Sequence, residues 1–178
     1  KIVRYLIVKP SLAHQLESDS EFPVVLAQNV GIRRSRGAFI AQMDADILLI
    51  EAFLEKLFQF IEGTLDLGVP AARSLAVAQR RNLPWILAGG RPGVQQLEWI
   101  MARLGHKLLG ERFDDIPYFG TGFILMHRDL WMECGGFDEA LMYRGRMEID
   151  LGTRVTRQHP CVLLNRAGMP VYHLAHYT

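Results

Sequence analysis

Cysteine is scarce in this sequence: Cys134 and Cys161 are the two present, without Cys-x-x-Cys spacing. That argues against a disulfide scaffold or a cysteine-ligated zinc site and suits two buried thiols in a reducing, cytoplasmic setting. No apolar run approaches the ~20 residues that span a bilayer, and the N-terminus lacks the layout of a signal peptide. This leaves peripheral association with the inner face of a membrane as the closest membrane contact to expect. Charge of one sign is missing too, because 20 Lys and Arg against 19 Asp and Glu leave +1. No bulk field therefore favours nucleic acid, and local clusters must carry any anion binding. There is no low-complexity stretch, Pro/Gly/Ser linker or internal repeat.

What is present fits one domain over residues 1–178, long enough to bury ~70% of the surface its unfolded chain exposes. The chain opens on Lys1 and runs directly into KIVRYLIV, so it reads as a domain entered partway. Ile2 to Val8 reads as a buried strand closed by Pro10, and FPVVLA, Phe22 to Ala27, as a short second one. Asn29 is placed to cap a one- to two-turn helix through Arg36, with Gly37 as its stop. The strand AFIAQM follows. Helical spacing of Phe53, Leu54, Leu57, Phe58 and Ile61 predicts a helix from Ile50 to Glu62, stopped by Gly63.

GVPAARSLAV reads as a further strand, RNLPWILAGGRPG as a loop, and Val94 to Leu109 as a helix. GTGFILMH reads as a glycine-opened strand, followed by the helix RDLWMEC ending at Gly135 and Gly136. A last helix is expected over about Ile149 to Gln158, with strands near Cys161 to Leu164 and Pro170 to His173. Alternating strands and helices imply an α/β layered fold whose central sheet is mixed, mostly parallel and flanked by helices. Ligands gather at the carboxyl ends of the strands in such sheets.

The segment RRSRGAFIAQMDADILL ends an apolar strand on Asp44 and Asp46. At i and i+2 on an extended backbone the two side chains share a face about 6–7 Å apart. Hard divalent cations take such oxygens, and magnesium completes its shell with substrate phosphates. Asp-x-Asp alone is common, and Asp46 could merely start the following helix. Arg33, Arg34 and Arg36 precede the pair, and arginine forks suit phosphate; three neighbouring helix positions cannot all face one ligand.

The run QNVGIRRSRGAFIAQMDADILL resembles a segment of family-two-like glycosyltransferases of the Rossmann-related GT-A fold: Asn, Gly, an Arg-rich turn, Gly, an apolar strand and Asp-x-Asp. GTGFILMHRDLWMECGGFDEAL resembles that family's second landmark, and GRMEIDLGTR its Gly-Gly-Glu-Asp-x-Asp-Leu-x-x-Arg stretch, with Met147 and Glu148 where Glu and Asp are usual. The resemblance covers about Val25 to the end and implies a chain lacking the family's first nucleotide-binding strand and helix. It implies a DxD clamp in which Asp44 and Asp46 hold manganese or magnesium (Mn2+ or Mg2+) against the diphosphate of a nucleotide-sugar donor, with His173 as a further ligand and His176 its alternative. Donor contacts would come from Asn29, Arg33, Arg36, Asp44 and Ala45, and acceptor contacts from Gly120, Thr121, Gly122, Asp138 and Glu139.

The resemblance also implies metal-dependent, inverting transfer of a hexose to an acceptor hydroxyl on a glycan or similar partner, as in polysaccharide biosynthesis. Glu148 would be the general base, since a sugar hydroxyl is a poor nucleophile until its proton is taken. Read without the family, Glu148 and Asp150 serve a helix N-terminus and Asp150 pairs Arg154 at i, i+4. Two rival readings stand beside it: a catalytically silent binding or structural domain, and a nucleotidyltransferase, for which Lys1 to Ala27 supplies no glycine-rich basic loop.

Overall fold

The computed structural model describes residues 6–7, 24–83, 93, 95–96, 99–100, 103, 118, 120–141 and 146–174. Its elements in chain order are α1 (Val24–Arg34), β1 (Phe39–Met43), β2 (Ile47–Leu48), α2 (Glu51–Ile61), β3 (Leu75–Leu83), β4 (Thr121–His127), α3 (Arg128–Glu133), α4 (Met147–Val155), β5 (Cys161–Leu163) and β6 (Val171–Leu174). Short 3-10 turns cover Ala71–Arg73 and Leu164–Ala167.

Strand order is β1-β4-β3-β6-β2, with β5 beside β3. The pairs β1/β4, β3/β4 and β2/β6 are antiparallel, while β3 runs parallel to β5 and β6. The expected mostly parallel, Rossmann-related layered sheet is therefore wrong: most of these strands pair antiparallel, in a nearly closed, barrel-like sheet. Closure follows from connectivity. β1 and β2 lie at opposite ends of the strand order, yet only residues 44–46 join them, so the sheet must curl until its ends meet.

Ile47 of β2 reaches across to β4, where a side chain added to Gly122 would collide with it. The sequence misleads here because an antiparallel strand covered on both faces is as continuously apolar as a parallel one. Both faces are covered. Leu75, Val77, Ile124, Met126 and Ile40 pack with Val25 and Ile32 of α1, Trp131 of α3, and Leu151 and Val155 of α4. Ala76, Ala78, Phe123 and Leu125 point the other way, toward Phe53, Leu57 and Phe60 of α2, as the period of two requires. Trp131 ties the first layer to the sheet edge, its indole N–H donating to the carbonyl of Ile40 at 3.0 Å.

β1, α2, β4, α3, β5 and β6 fall where sequence patterning places them, within a residue or two, and α4 begins two residues and ends three residues earlier than expected. Gly63, Gly135 and Gly136 all have positive φ, the left-handed stop that a Cβ resists. The expected strand over Phe22 to Ala27 is instead helical from Val24, and Asn29 sits inside α1 rather than capping it. Its buried face is Val25, Asn29 and Ile32, spaced i, i+4, i+7, and an asparagine in the middle hides that period. GVPAARSLAV splits into the 3-10 turn and β3, which runs on to Leu83 through part of the supposed loop. The strand expected over Ile2 to Val8 falls mostly outside the described residues, as do the loop over residues 84–92 and most of the helix expected from Val94 to Leu109. No helix among the described residues is long and apolar enough to cross a membrane.

Candidate active site at the closing corner

The turn that closes the sheet carries both aspartates. Asp44 donates its backbone N–H to Gly122 of β4 at 3.3 Å, Ile47 N–H returns to Asp44 O at 3.3 Å, and Leu174 N–H of β6 reaches Asp46 O at 3.0 Å. The corner is thus pinned to both strands that it brings together.

Register decides what faces it. In β6, His173 lies opposite Ile47 of β2 and beside Asn82 of β3. Its Nε2 lies 3.0 Å from Asp46 Oδ2 and its Nδ1 lies 2.9 Å from Asn82 Oδ1. The imidazole is thus held between an amide and a carboxylate, the kind of partners that fix the ring orientation of a metal-ligating histidine. The 3.0 Å contact is the length of a direct hydrogen bond, and two ligands at a right angle on one cation, each roughly 2.1 Å from it, also lie about 3 Å apart. No group of three or more histidine, cysteine or carboxylate side chains assembled to hold a metal is found among the described residues. Asp46 and His173, with Asp44 two residues away, are the residues that would hold a divalent cation at this corner.

Asp44 Oδ2 lies 3.7 Å from Arg80 Nη1, too long for a hydrogen bond. Burial pushes the Asp44 carboxyl above its ordinary pKa; Arg80 opposes the rise, Asp46 adds to it, and Gln42 and His173 offset it further. Glu148, in the first turn of α4, is also pushed up, first by burial and then by the charge of Asp44, against its own backbone N–H and Arg80. The corner therefore gathers carboxylates from two elements under one guanidinium, partly out of water, where charge interactions strengthen.

Several residues expected at the site lie in a separate cluster. Asn29 is buried; its Nδ2 donates to Phe137 O at 2.8 Å and Glu139 Oε1 at 3.0 Å, and it accepts from Phe137 N–H at 3.0 Å. Arg33 Nη2 donates to the same Glu139 oxygen at 2.8 Å. Arg154 donates to Cys134 O at 2.6 Å, Gly136 O at 2.8 Å and Asp150 Oδ2 at 2.8 Å. Asn29 and Arg154 thus lock the turn Gly135 to Glu139 between α1 and α4, and the i, i+4 pairing expected of Asp150 is present.

Arg36 and Asp138 are exposed, and Asp138 Oδ1 accepts from Ala140 N–H at 2.9 Å. Ala45 is exposed at the tip of the corner. Gly120 accepts from Arg80 N–H at 3.1 Å and Gly122 from Asp44, while the Thr121 hydroxyl is buried with no partner among the described residues. His176 lies outside the described residues.

Arg80 and Asn82 are the site residues that sequence reading missed. The signal was the polar run Gln79 to Asn82 at the end of an apolar strand, the same signature that drew notice to the aspartates. No family model matches the chain, and no curated protein matches it.

Proposed function

We propose that the chain is a metal-dependent glycosyltransferase acting at the closing corner. The observation that carries this reading is the contact of Asp46 with His173, oriented by Asn82, with Asp44 and Glu148 in electrostatic range. Asp46 and His173 would hold Mn2+ or Mg2+, with Asp44 beside them. When bound, the ion supplies positive charge to the departing diphosphate of a nucleotide-sugar donor.

Glu148 does the proton chemistry. Its raised pKa brings the carboxylate nearer the range in which a base works at neutral pH. It takes the proton of the acceptor hydroxyl as that oxygen bonds to the anomeric carbon; the bond to the diphosphate oxygen breaks, and the nucleoside diphosphate leaves with the electron pair. Attack opposite the leaving group inverts the anomeric centre. The reading rests on this constellation and does not require a parallel sheet.

The test is turnover of a panel of nucleotide-sugars, with manganese added or chelated. Asp46→Asn is expected to abolish metal-dependent turnover in a folded protein, and Glu148→Gln to lose turnover while keeping donor binding. Full activity in a folded Asp46→Asn variant refutes the metal role. A folded wild-type protein that binds no nucleoside diphosphate at all points instead to a silent binding domain.

A further inference from the structure

We propose that Arg80 stands in for the divalent cation at Asp44 before the metal binds and moves to the substrate's diphosphate when the metal arrives. The inference deepens the glycosyltransferase reading and rests on it.

Three observations converge on Arg80. The first is its aim. β3 shifts register between Ala78 and Gln79, and a bulge of this kind turns the following side chain. The shift is held in place: Gln79 N–H donates to Asn165 Oδ1 at 2.7 Å, and Asn165 Nδ2 donates back to Gln79 O at 2.9 Å. Asn165, from the 3-10 turn between β5 and β6, therefore fixes the backbone from which Arg80 departs. The second is its fit. Gly122 leaves room against the Arg80 stem, since a Cβ there would stand 3.2 Å from Arg80 Cβ.

The third is the looseness of its contact. At 3.7 Å from Asp44 and 43% exposed, the guanidinium neutralises the carboxylate without a hydrogen bond to hold it there. An exposed pair of this kind is worth little, so Arg80 is able to exchange partners. A diphosphate offers the forked, doubly charged oxygens that guanidinium binds best. The exchange leaves neither side without a counter-charge: the divalent metal replaces the singly charged Arg80 at Asp44, and the diphosphate that accompanies the metal brings the negative charge that Arg80 meets.

Opposite effects on two ligands follow, and they separate this role from a structural one. The probes are Mn2+ alone, and inorganic pyrophosphate in saturating Mn2+, which avoids the identity of the base. For Arg80→Gln, Mn2+ affinity is expected to rise about 3-fold or more, because the competing charge is gone. Pyrophosphate affinity is expected to fall about 10-fold or more with the loss of a charge-assisted fork. Arg80→Lys should keep the weaker Mn2+ binding and recover part of the pyrophosphate affinity. Asn165→Ala, which releases the bulge, should lower pyrophosphate affinity in the same direction.

If Arg80→Gln weakens both ligands together, or changes neither, the exchange is wrong while the glycosyltransferase reading stands. If the folded wild-type protein binds neither Mn2+ nor pyrophosphate, both are wrong.

Discussion

Asn29 discriminates sharply between a binding and a structural role, and replacing it with alanine tests that. In the folded protein its amide serves both backbone groups of Phe137, at 2.8 and 3.0 Å, and Phe137 is 2% exposed. Truncation leaves a buried N–H and a buried C=O unpaired, each costing ~1–3 kcal/mol. The contact to Glu139 lies nearer solvent and adds little. The expected loss is about 2–6 kcal/mol, and with an m-value of roughly 2 kcal/mol/M the urea midpoint should fall by roughly 1–3 M at unchanged slope.

Asn29→Asp keeps the acceptor for Phe137 N–H but sets a carboxylate against Phe137 O and Glu139, so it should be no better at neutral pH. It should recover part of the loss on acidification, when a protonated carboxyl regains the donor. A loss below ~1 kcal/mol for Asn29→Ala, with nucleotide binding abolished, refutes the structural assignment and returns Asn29 to the donor site.

Gly152→Ala should be destabilising by ~1–3 kcal/mol in thermal or urea unfolding, because the added methyl meets the Tyr118 ring; Tyr118→Ala should relieve it, and wild-type stability in the single variant contradicts this packing. Glu148→Gln should raise stability at neutral pH, since burial holds the Glu148 pKa up and the ionised form carries that cost only in the folded state. The gain should fade as pH falls through the raised pKa toward the ordinary carboxyl range, and a pH-independent difference contradicts the assignment. Gly136→Ala should lose stability on two grounds, its φ of +75° and a Cβ 2.5 Å from Asn29 Oδ1; a neutral outcome in the urea midpoint contradicts it.

Local signals in the sequence were strong wherever one physical cause dominated. The helical spacing of Phe53, Leu54, Leu57, Phe58 and Ile61 marked α2, although the helix buries Phe53, Leu57 and Phe60 and leaves Leu54 and Phe58 exposed; the glycines after α2 and α3 marked their ends, because a left-handed residue is a local requirement. The aspartates were legible as a pair because the strand before them is apolar. Sheet direction was not legible. Buried strands such as β4 show the same apolar run whether their neighbours run parallel or antiparallel, and the decisive fact, that the turn at 44–46 joins the two ends of the strand order, is long-range.

The same limit explains the site residues. Asn29 looked like a cap because a buried asparagine breaks the apolar period of α1, and its partner Phe137 is 108 residues away. Asn82 passed as loop and Arg80 stood at that loop's edge, because the extent of β3 depends on β6, which pairs with it from Arg80 to Leu83.

The central claim is that the corner formed by Asp44, Asp46 and His173 binds a diphosphate through a divalent cation. Its most direct test is calorimetric titration of nucleoside diphosphates into the wild-type protein, with manganese present and with manganese chelated. Saturable binding that requires manganese, and that a folded Asp46→Asn variant loses, is the predicted result. Equal binding without the metal, or no binding with it, contradicts the account.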